Sequence, residues 1–416
     1  MKDQLLNMIV GHYSSYSLAG EDELKMRLLD ALAVAYAARR ERIPFSLTLI
    51  QGDVPSLMGM TSVDSAAFVN TFLIRYLDFN DTFLGLEPLH PSDMIGGLLA
   101  LGYVQDSSGE DLLHAMGLGY DVGVSLCKTT SLRKKGFDHV NFLGIGAAVA
   151  SGYLLSLSEE QLRNAVSLTV VPHVALRETR SGKLTSWKAG AAAEAVRNAV
   201  FSSLLAKSGM EGPPLPFQGK YGFTSLVARD MDLSRFKPNV EVRNTAIKEF
   251  PVEYHAQAAV EASLKAEWSG KIESVLVETY EAAVSILADE DKWNPENRET
   301  ADHSLPFTVS YSLLRRDFWL DSYSHIHDRD VRDLMKLVQV REVKEFSQEY
   351  PEKLPVRLTV NSSSVEVDVP KGYPTNPMTM EEVEAKARRL GLPEKVISLV
   401  RELEEVKVKD LVREIT

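Results

Sequence analysis

Tyr76-Leu77-Asp78-Phe79-Asn80-Asp81-Thr82 and, after a short linker, His90-Pro91-Ser92-Asp93 form the stretch on which the reading turns. Carboxylates, an amide, a hydroxyl and an imidazole lie together between two apolar runs. Residues 61–77 before it and Met94–Val104 after it both read as buried helices. Taken alone, the stretch is either a helix end capped by Asp and Asn before a proline loop, or a cluster of proton-handling groups beside a helical core.

Working outward, residues 1–40 read as helices, with Leu24, Leu28, Leu32 and Tyr36 at helical spacing and Arg39-Arg40 near the C-terminal end, where the helix dipole favours cations. Glu110–Leu126 is a further helix. Its Gly117-Leu118-Gly119 and Gly123 do not have the phosphate-loop spacing and follow no strand, so they read as close helix packing. Gly144–Leu155 and Ala189–Ser208 are small-residue helices. Ser158-Glu159-Glu160-Gln161 is a capping box that opens another, and Gly209–Phe223 is a loop.

The pattern changes after about residue 245. Glu249–Glu267 is one more helix, with Ala256, Val260 and Leu264 on one face. Ile272–Tyr280 alternates as a strand, and Leu337–Val343 adds another. Val356, Leu358 and Val360, then Val365, Val367 and Val369, alternate around Asn361-Ser362-Ser363-Ser364, a hairpin with a four-residue loop. Glu381–Leu390 and Pro393–Leu403 return to charged amphipathic helices. The expected fold is mainly α: an all-helical domain over 1–245 and a smaller α+β lid domain over 246–390, with helices in about 391–416 packing back on the first.

A chain of 416 residues, 44% apolar and 25% charged, has room for two or three domains or one large one. No stretch is long and apolar enough to span a bilayer, and no signal peptide is evident at the start, so a cytoplasmic location is expected. The single cysteine, Cys127, excludes an internal disulfide framework and cannot supply the thiolates of an iron–sulfur cluster. A net charge of −12 argues against nucleic-acid or anionic-membrane binding as the main task. An anionic small molecule would need a local basic cluster.

Of the nine histidines, His12, His114 and His173 sit in helical contexts that suit packing. His325-x-His327-Asp328-x-Asp330 reads as a solvated loop rather than a metal site. The other four stand in polar knots. His90 belongs to the opening stretch, and His139 to Lys134–Asn141, where Asp138 beside it can orient it or raise its basicity, unless this is only a charged turn. Arg177, Arg180, Lys183 and Lys188 gather four cations in the next knot. Trp187 and the apolar surroundings suggest that Lys188 is partly buried, where it keeps its charge only beside an anion. Arg177 and Lys183 read equally as an exposed basic turn. Lys248–His255 opens the helix after the domain change, placed to face a cleft, or is an ordinary charged first turn. Lys292–Ser304 carries His303 behind an Asn-Pro turn.

No G-x-S-x-G, Cys-His or H-E-x-x-H motif appears. Histidines, aspartates and lysines around an anion site suit proton abstraction beside a carboxylate, where cations steady the developing charge and an acid protonates the leaving hydroxyl.

In order along the chain, Leu77–Thr82 with His90-Pro91-Ser92, Gly136-Phe137-Asp138-His139-Val140, Arg180-x-Gly182-x-Leu184-x-x-Trp187-Lys188, Gly209-Met210-x-Gly212-Pro213 and Arg298–Pro306 resemble the MmgE/PrpD family. The resemblance covers nearly the whole chain. It implies a helical domain and an α+β lid with the active site between them, a homodimer, and no metal or other cofactor. The family's activities are 2-methylcitrate dehydration, cis-aconitate decarboxylation and iminodisuccinate epimerisation. Asp78 and Thr82 match its first active-site motif, His90 its HPS histidine, Lys188 its buried lysine and Lys248 the lysine before the domain crossover. His139 and His255 fall near family histidines, and Asp138 stands where many members have one of them. Asn80 replaces a common Asp, and Phe307 a common Tyr.

The resemblance implies a lyase that dehydrates 2-methylcitrate, or a close tricarboxylate, to 2-methyl-cis-aconitate in propionate catabolism. The expected catalytic residues are Asp78, Thr82, His90, Asp138, His139, Lys188 and His255. Arg177, Arg180, Lys188, Lys248 and His303 are expected to hold the substrate. A decarboxylase-like or epimerase-like enzyme, or a non-catalytic polycarboxylate-binding relative, are the alternatives.

Overall fold

Asp3 begins the first helix by accepting the backbone N–H of Leu6 at 3.2 Å, the usual means of satisfying a free donor at a helix start. The computed structural model describes residues 3–41, 43, 45, 51–181 and 185–416. The protein is mainly helical, with a smaller region built on a β-sheet. It divides into one unit of Met1–Thr245 with Thr379–Thr416 and a second of Ala246–Met378.

The first unit contains α1 (Gln4–Ser15), α2 (Glu21–Ala38), β1 (Val54–Ser56), β2 (Gly59–Thr61), α3 (Val63–Tyr76), α4 (Ile95–Gln105), α5 (Gly109–Cys127), α6 (Val140–Leu154), α7 (Glu159–Val170), α8 (Trp187–Lys207) and the single turn α9 (Phe223–Leu226). The β1–β2 hairpin is an addition to the helical layout expected from the sequence. Close packing explains the glycines of α5 and α6. A Cβ on Gly146 would lie 2.7 Å from the Gly119 carbonyl oxygen, so only a bare backbone lets the two helices approach. The Ser158–Gln161 box forms as expected, each side chain accepting the other's backbone N–H at 3.3 and 3.1 Å.

The second unit holds α10 (Gln257–Lys265), β3 (Val275–Thr279), α11 (Glu281–Leu287), the short α12 (Arg298–Ala301), α13 (Leu305–Arg315), α14 (Arg329–Met335), β4 (Val338–Glu342), α15 (Lys344–Glu349), β5 (Val356–Val360) and β6 (Ser363–Val367). Strand order is β4-β3-β5-β6, with β3 parallel to β4 and antiparallel to β5. Val260, Val275, Val277, Leu305, Phe307, Leu358 and Phe318 share its core.

Two sequence expectations are corrected here. The helix placed at Glu249 begins only at Gln257, after a 3-10 turn over Tyr254–Ala256. Pro251 offers no N–H to a helix, and Gln257 holds the preceding segment open, accepting the N–H groups of Glu249 and Phe250 and donating to the Phe250 carbonyl. The hairpin loop has two residues, not four: Val360 pairs with Ser363, and Asn361 takes the left-handed conformation at φ 55°. Asn tolerates that region, and here its amide also bonds Glu273 N–H and the Lys271 carbonyl.

The chain returns to the first unit through α16 (Met380–Arg389), α17 (Glu394–Arg401) and α18 (Val408–Ile415). The return therefore comes at Thr379 rather than near residue 391. Lys386 anchors it: buried on α16, its ammonium lies 2.6 Å from Asp30 on α2 and donates to the Phe79 carbonyl at 3.0 Å.

Candidate functional site

Helix α3 stops at Tyr76, and Asp78 turns the chain at φ 52°, a conformation that Asp tolerates better than most residues. The chain returns through a bridge between Phe83 and Leu89, and a 3-10 turn over Pro91–Met94 starts α4. The helix end and the proline loop are therefore real, but neither Asp78 nor Asn80 caps a helix: their side chains bond the side chains of the cluster instead.

Arg75, on the last turn of α3, is buried at the centre. Its Nη1 donates to Asp78 Oδ1 at 2.6 Å, its Nη2 meets His90 Nε2 at 3.1 Å, and its Nε lies 3.8 Å from Asp93 Oδ2. The second Asp78 oxygen holds Lys188 Nζ at 2.8 Å. That carboxylate is the anion the partly buried Lys188 requires. The other ring nitrogen of His90, Nδ1, donates to the Asp81 carbonyl at 2.8 Å. Asn80 donates through its amide nitrogen to Ser92 Oγ and to Asp93 Oδ1, both at 2.8 Å. Asp81 is buried, bonded to the Ser92 N–H at 3.0 Å and the Tyr120 hydroxyl at 2.8 Å.

Beside this group stands a second imidazole. The His139 ring centroid lies 5.8 Å from that of His90. Its Nδ1 is 3.2 Å from Asp138 Oδ1, while the other Asp138 oxygen pairs with Arg180 Nε at 2.9 Å. Burial and then the Arg180 charge push His139 down to about 3, against the pull of Asp138, so the ring is neutral at ordinary pH. Burial works to raise Asp138, but the Arg180 charge and the hydrogen bonds that the carboxylate accepts outweigh it and hold the carboxyl below its usual range. Arg75, Asp93, Asp138 and His139 form a buried floor; Asp78, His90, Arg180 and Lys188 are half-buried above it.

Burial also pushes Asp93 up from 3.8 to about 7, against the pull of Arg75. The folded protein then keeps a proton on Asp93 that the unfolded chain has already released between about pH 4 and pH 7. This contribution to stability is full below the unfolded pKa and is lost as pH rises through the folded one. Asp93→Asn is expected to remove that decline, at most about 4 kcal/mol for a shift of this size. Urea midpoints of both proteins at about pH 5 and about pH 8 measure it; parallel curves would mean that Asp93 is ionised throughout.

Other expected residues fall elsewhere. Thr82 donates its hydroxyl to the Leu89 carbonyl at 3.3 Å, closing the loop. Arg177 is half-buried on a 3-10 turn, its backbone N–H on the Gly136 carbonyl, and its guanidinium makes no ion pair among the described residues. Gly182, Lys183 and Leu184 lie outside the described residues. A neighbouring cavity of about 410 Å³ is lined mostly by apolar side chains such as Val140, Val170, Trp187 and Phe223, with Glu178 and Glu194 as its only acids among the described residues and no lysine or arginine among them to meet a carboxylate.

Within the second unit, Glu253 is the centre. His255 Nδ1 lies 2.9 Å from Glu253 Oε1, and its Nε2 lies 3.3 Å from the Tyr350 hydroxyl. Burial would raise Glu253, but His255, His303 and Lys248 together bring it down to about 2. His303 pairs with Asp302, and Lys248 is buried. Phe307 is fully buried among Tyr311, Phe318 and Tyr323, an aromatic core position rather than a polar one.

Arg75 and Tyr350 are participants that sequence reasoning missed, and Asp93 and Glu253 were read only within their stretches and given no role. The spacing of Arg75 three residues before Asp78, and of Glu253 two before His255, was the available signal. Among the described residues no group of three or more His, Cys, Asp or Glu is placed to hold a metal ion. The charged stretch expected as a loop is instead the end of a 3-10 helix over Leu320–His325 and the first turn of α14; there Arg315 pairs with Asp328 and Asp330, and His325 bonds Asp328 at 2.9 Å. Cys127 is buried, and burial pushes its thiol up. No described helix is long and apolar enough to cross a membrane.

Comparison with known proteins matches residues 8–235 to the MmgE/PrpD N-terminal domain and residues 250–409 to the MmgE/PrpD C-terminal domain. The chain is 30% identical over 335 residues to a mitochondrial 2-methylcitrate dehydratase of Yarrowia lipolytica, covering 73% of this chain and 64% of that protein. It is 31% identical over 332 residues to a 2-methylcitrate dehydratase of Escherichia coli K12, covering 72% and 67%. A fungal protein named alkylcitrate dehydratase phiI is 25% identical over 377 residues, 81% of this chain and 74% of its own. The aligned part thus spans about two thirds of the first relatives' length. With both of its domain models matched in order, the chain belongs to the MmgE/PrpD family.

Proposed function

We propose that the protein is a hydro-lyase that dehydrates 2-methylcitrate, or a closely related small tricarboxylate, to the corresponding cis-aconitate. The observation that carries this reading is the cluster of Arg75, Arg180 and Lys188 around two carboxylates and two imidazoles 5.8 Å apart. Lys188 and Arg180 are half-buried, so an incoming carboxylate can reach them. The relatives named as 2-methylcitrate and alkylcitrate dehydratases support the substrate class and favour loss of water.

In the proposed reaction a proton on the carbon beside a carboxylate passes to His90 Nε2. The C–H electron pair moves onto that carboxylate, where the cations lower the cost of the added charge. The pair then forms the new C=C bond as the C–O bond breaks. The departing hydroxide takes from His90 the proton abstracted in the first step and leaves as water, which returns His90 to its neutral form. Asp78, between Arg75 and Lys188, fixes both cations. His139, neutral with Nδ1–H on Asp138, keeps its Nε2 lone pair toward Arg180 at 3.5 Å, so it can accept from the substrate hydroxyl and orient it but does not donate to the departing oxygen. Lys248, His255 and His303 stay in the proposal as further substrate-handling groups, as does a homodimer.

Decarboxylation of cis-aconitate and epimerisation of iminodisuccinate use the same substrate class, so the test compares products. The purified protein is given 2-methylcitrate, cis-aconitate and iminodisuccinate separately, and products are followed by mass and optical activity. The expected result is water loss from 2-methylcitrate. Carbon dioxide release from cis-aconitate, or inversion of iminodisuccinate, without that dehydration would overturn the reading.

A further inference from the structure

We infer that Arg75 is a positioning residue that caps the Nε2 atom of His90, and that a substrate carboxylate releases the cap by letting the guanidinium move onto Asp93. The inference rests on the reading of this cluster as a polycarboxylate site and adds to it a residue that switches the base on.

Two partners of fixed polarity set the state of His90. A backbone carbonyl only accepts, so the bond from Nδ1 to Asp81 places the hydrogen on Nδ1. A guanidinium only donates, so Nε2 accepts from Arg75 at 3.1 Å. Nε2 is the atom that must receive the substrate proton, and here its lone pair points at an N–H. An imidazolium would set two donors and two positive charges against each other. His90 is thus neutral and correctly oriented, but not yet available as a base.

A second resting place for the guanidinium is already built. Arg75 Nε and Asp93 Oδ2 are both buried, and neither has a hydrogen-bond partner among the described residues. They stand 3.8 Å apart, so a movement of about 1 Å brings them within hydrogen-bond range, where Asp93 ionises and the contact becomes an ion pair. In the inferred switch the same movement of the guanidinium withdraws Nη2 from His90 Nε2. Asn80 holds the other Asp93 oxygen at 2.8 Å and keeps the carboxyl aimed. The raised proton affinity of Asp93 fits this arrangement, since a closer Arg75 would ionise it.

The resting state is maintained by the surrounding charges. Asp78 holds Arg75 Nη1 at 2.6 Å and is itself held by Lys188. On the other side, Arg180 is paired with Asp138 next to His139. A substrate carboxylate that engages both Lys188 and Arg75 Nη1 displaces the Asp78 carboxylate from the two cations it now holds and frees the guanidinium to turn. The guanidinium then has Asp93 to move to, and His90 Nε2 is exposed to the substrate proton. The move ionises Asp93, its proton passing to solvent water, and no other covalent bond changes until the substrate proton moves.

The test uses the full chain with ¹⁵N-labelled histidine, His90 being assigned by its loss in His90→Gln. Tricarballylate, a tricarboxylate without the hydroxyl, serves as the non-reacting probe, and calorimetry records its binding independently. In the free protein His90 should be the neutral Nδ1–H form with Nε2 hydrogen-bonded. Saturating tricarballylate should raise its proton affinity by about one pKa unit or more. In Asp93→Asn the probe should still bind, but the rise should be absent and kcat should fall at least about tenfold with little change in KM. Binding in the wild-type protein without any change at His90 would overturn the inference and leave the polycarboxylate reading standing. Failure of both tricarballylate and 2-methylcitrate to bind would overturn that reading, and the inference with it. Should Asp93→Asn fail to fold, the wild-type titration decides alone.

Discussion

His90→Gln is expected to lower kcat on 2-methylcitrate by about 10²- to 10⁴-fold, the range that a positioned acid–base group contributes. The substitution isolates the chemistry because glutamine can keep both hydrogen bonds. Its amide N–H₂ can donate to the Asp81 carbonyl, and its amide oxygen can accept from Arg75, as the two ring nitrogens do now. The loop over 78–93 should therefore hold its shape, and the thermal midpoint should move by only a few degrees. What is lost is a lone pair able to take a proton near neutral pH. KM should change little, since the cations that meet the substrate are untouched. Activity within about threefold of wild type would show that another group is the base.

Lys386→Met is expected to cost about 3–5 kcal/mol of stability, the larger structural effect. The ammonium lies 2.6 Å from Asp30, with both side chains buried, and sits over the Phe79 ring at 3.7 Å. Methionine fills similar volume but takes away the ammonium paired with the buried Asp30 carboxylate, leaving only the weaker pull of Arg27. Burial already pushes Asp30 up even with Lys386 present. The double variant Asp30→Asn/Lys386→Met removes the stranded charge and should recover most of the loss. Denaturant midpoints of the three proteins measure this. A single variant within about 1 kcal/mol of wild type would mean that Asp30 finds another partner or is protonated at little cost. Lys386 also holds the Phe79 carbonyl, one residue after Asp78, so the C-terminal return supports the loop that carries the cluster.

Helical spacing and strand alternation were legible because each is a local pattern with a local cause. The Ser158 box, the glycine contacts of α5 with α6 and the β3, β4 and β5 strands all follow from neighbours in sequence. The need of Lys188 for an anion was also legible, because a lysine among apolar residues has few ways to remain charged. Which anion was not: Asp78 lies more than a hundred residues away, and only the packing of α3 against α8 joins them. Arg75 was missed for a related reason. At the end of an apolar helix it looks like a cation placed for the dipole, and nothing local shows that its three nitrogens face three functional groups. The charged, amphipathic α16 gives its buried face but not the unit that face meets. The Asn361-Ser362 turn was open to reading, since Asn in the left-handed region marks a two-residue hairpin, but the run of serines obscured where the pairing began.

The most direct test of the central claim is the ultraviolet absorbance of the conjugated double bond when the wild-type protein meets 2-methylcitrate. Steady growth of that absorbance, abolished in His90→Gln, is the expected result. No new absorbance with 2-methylcitrate or any other citrate homologue, from protein shown to be folded and active on cis-aconitate or iminodisuccinate, would contradict it.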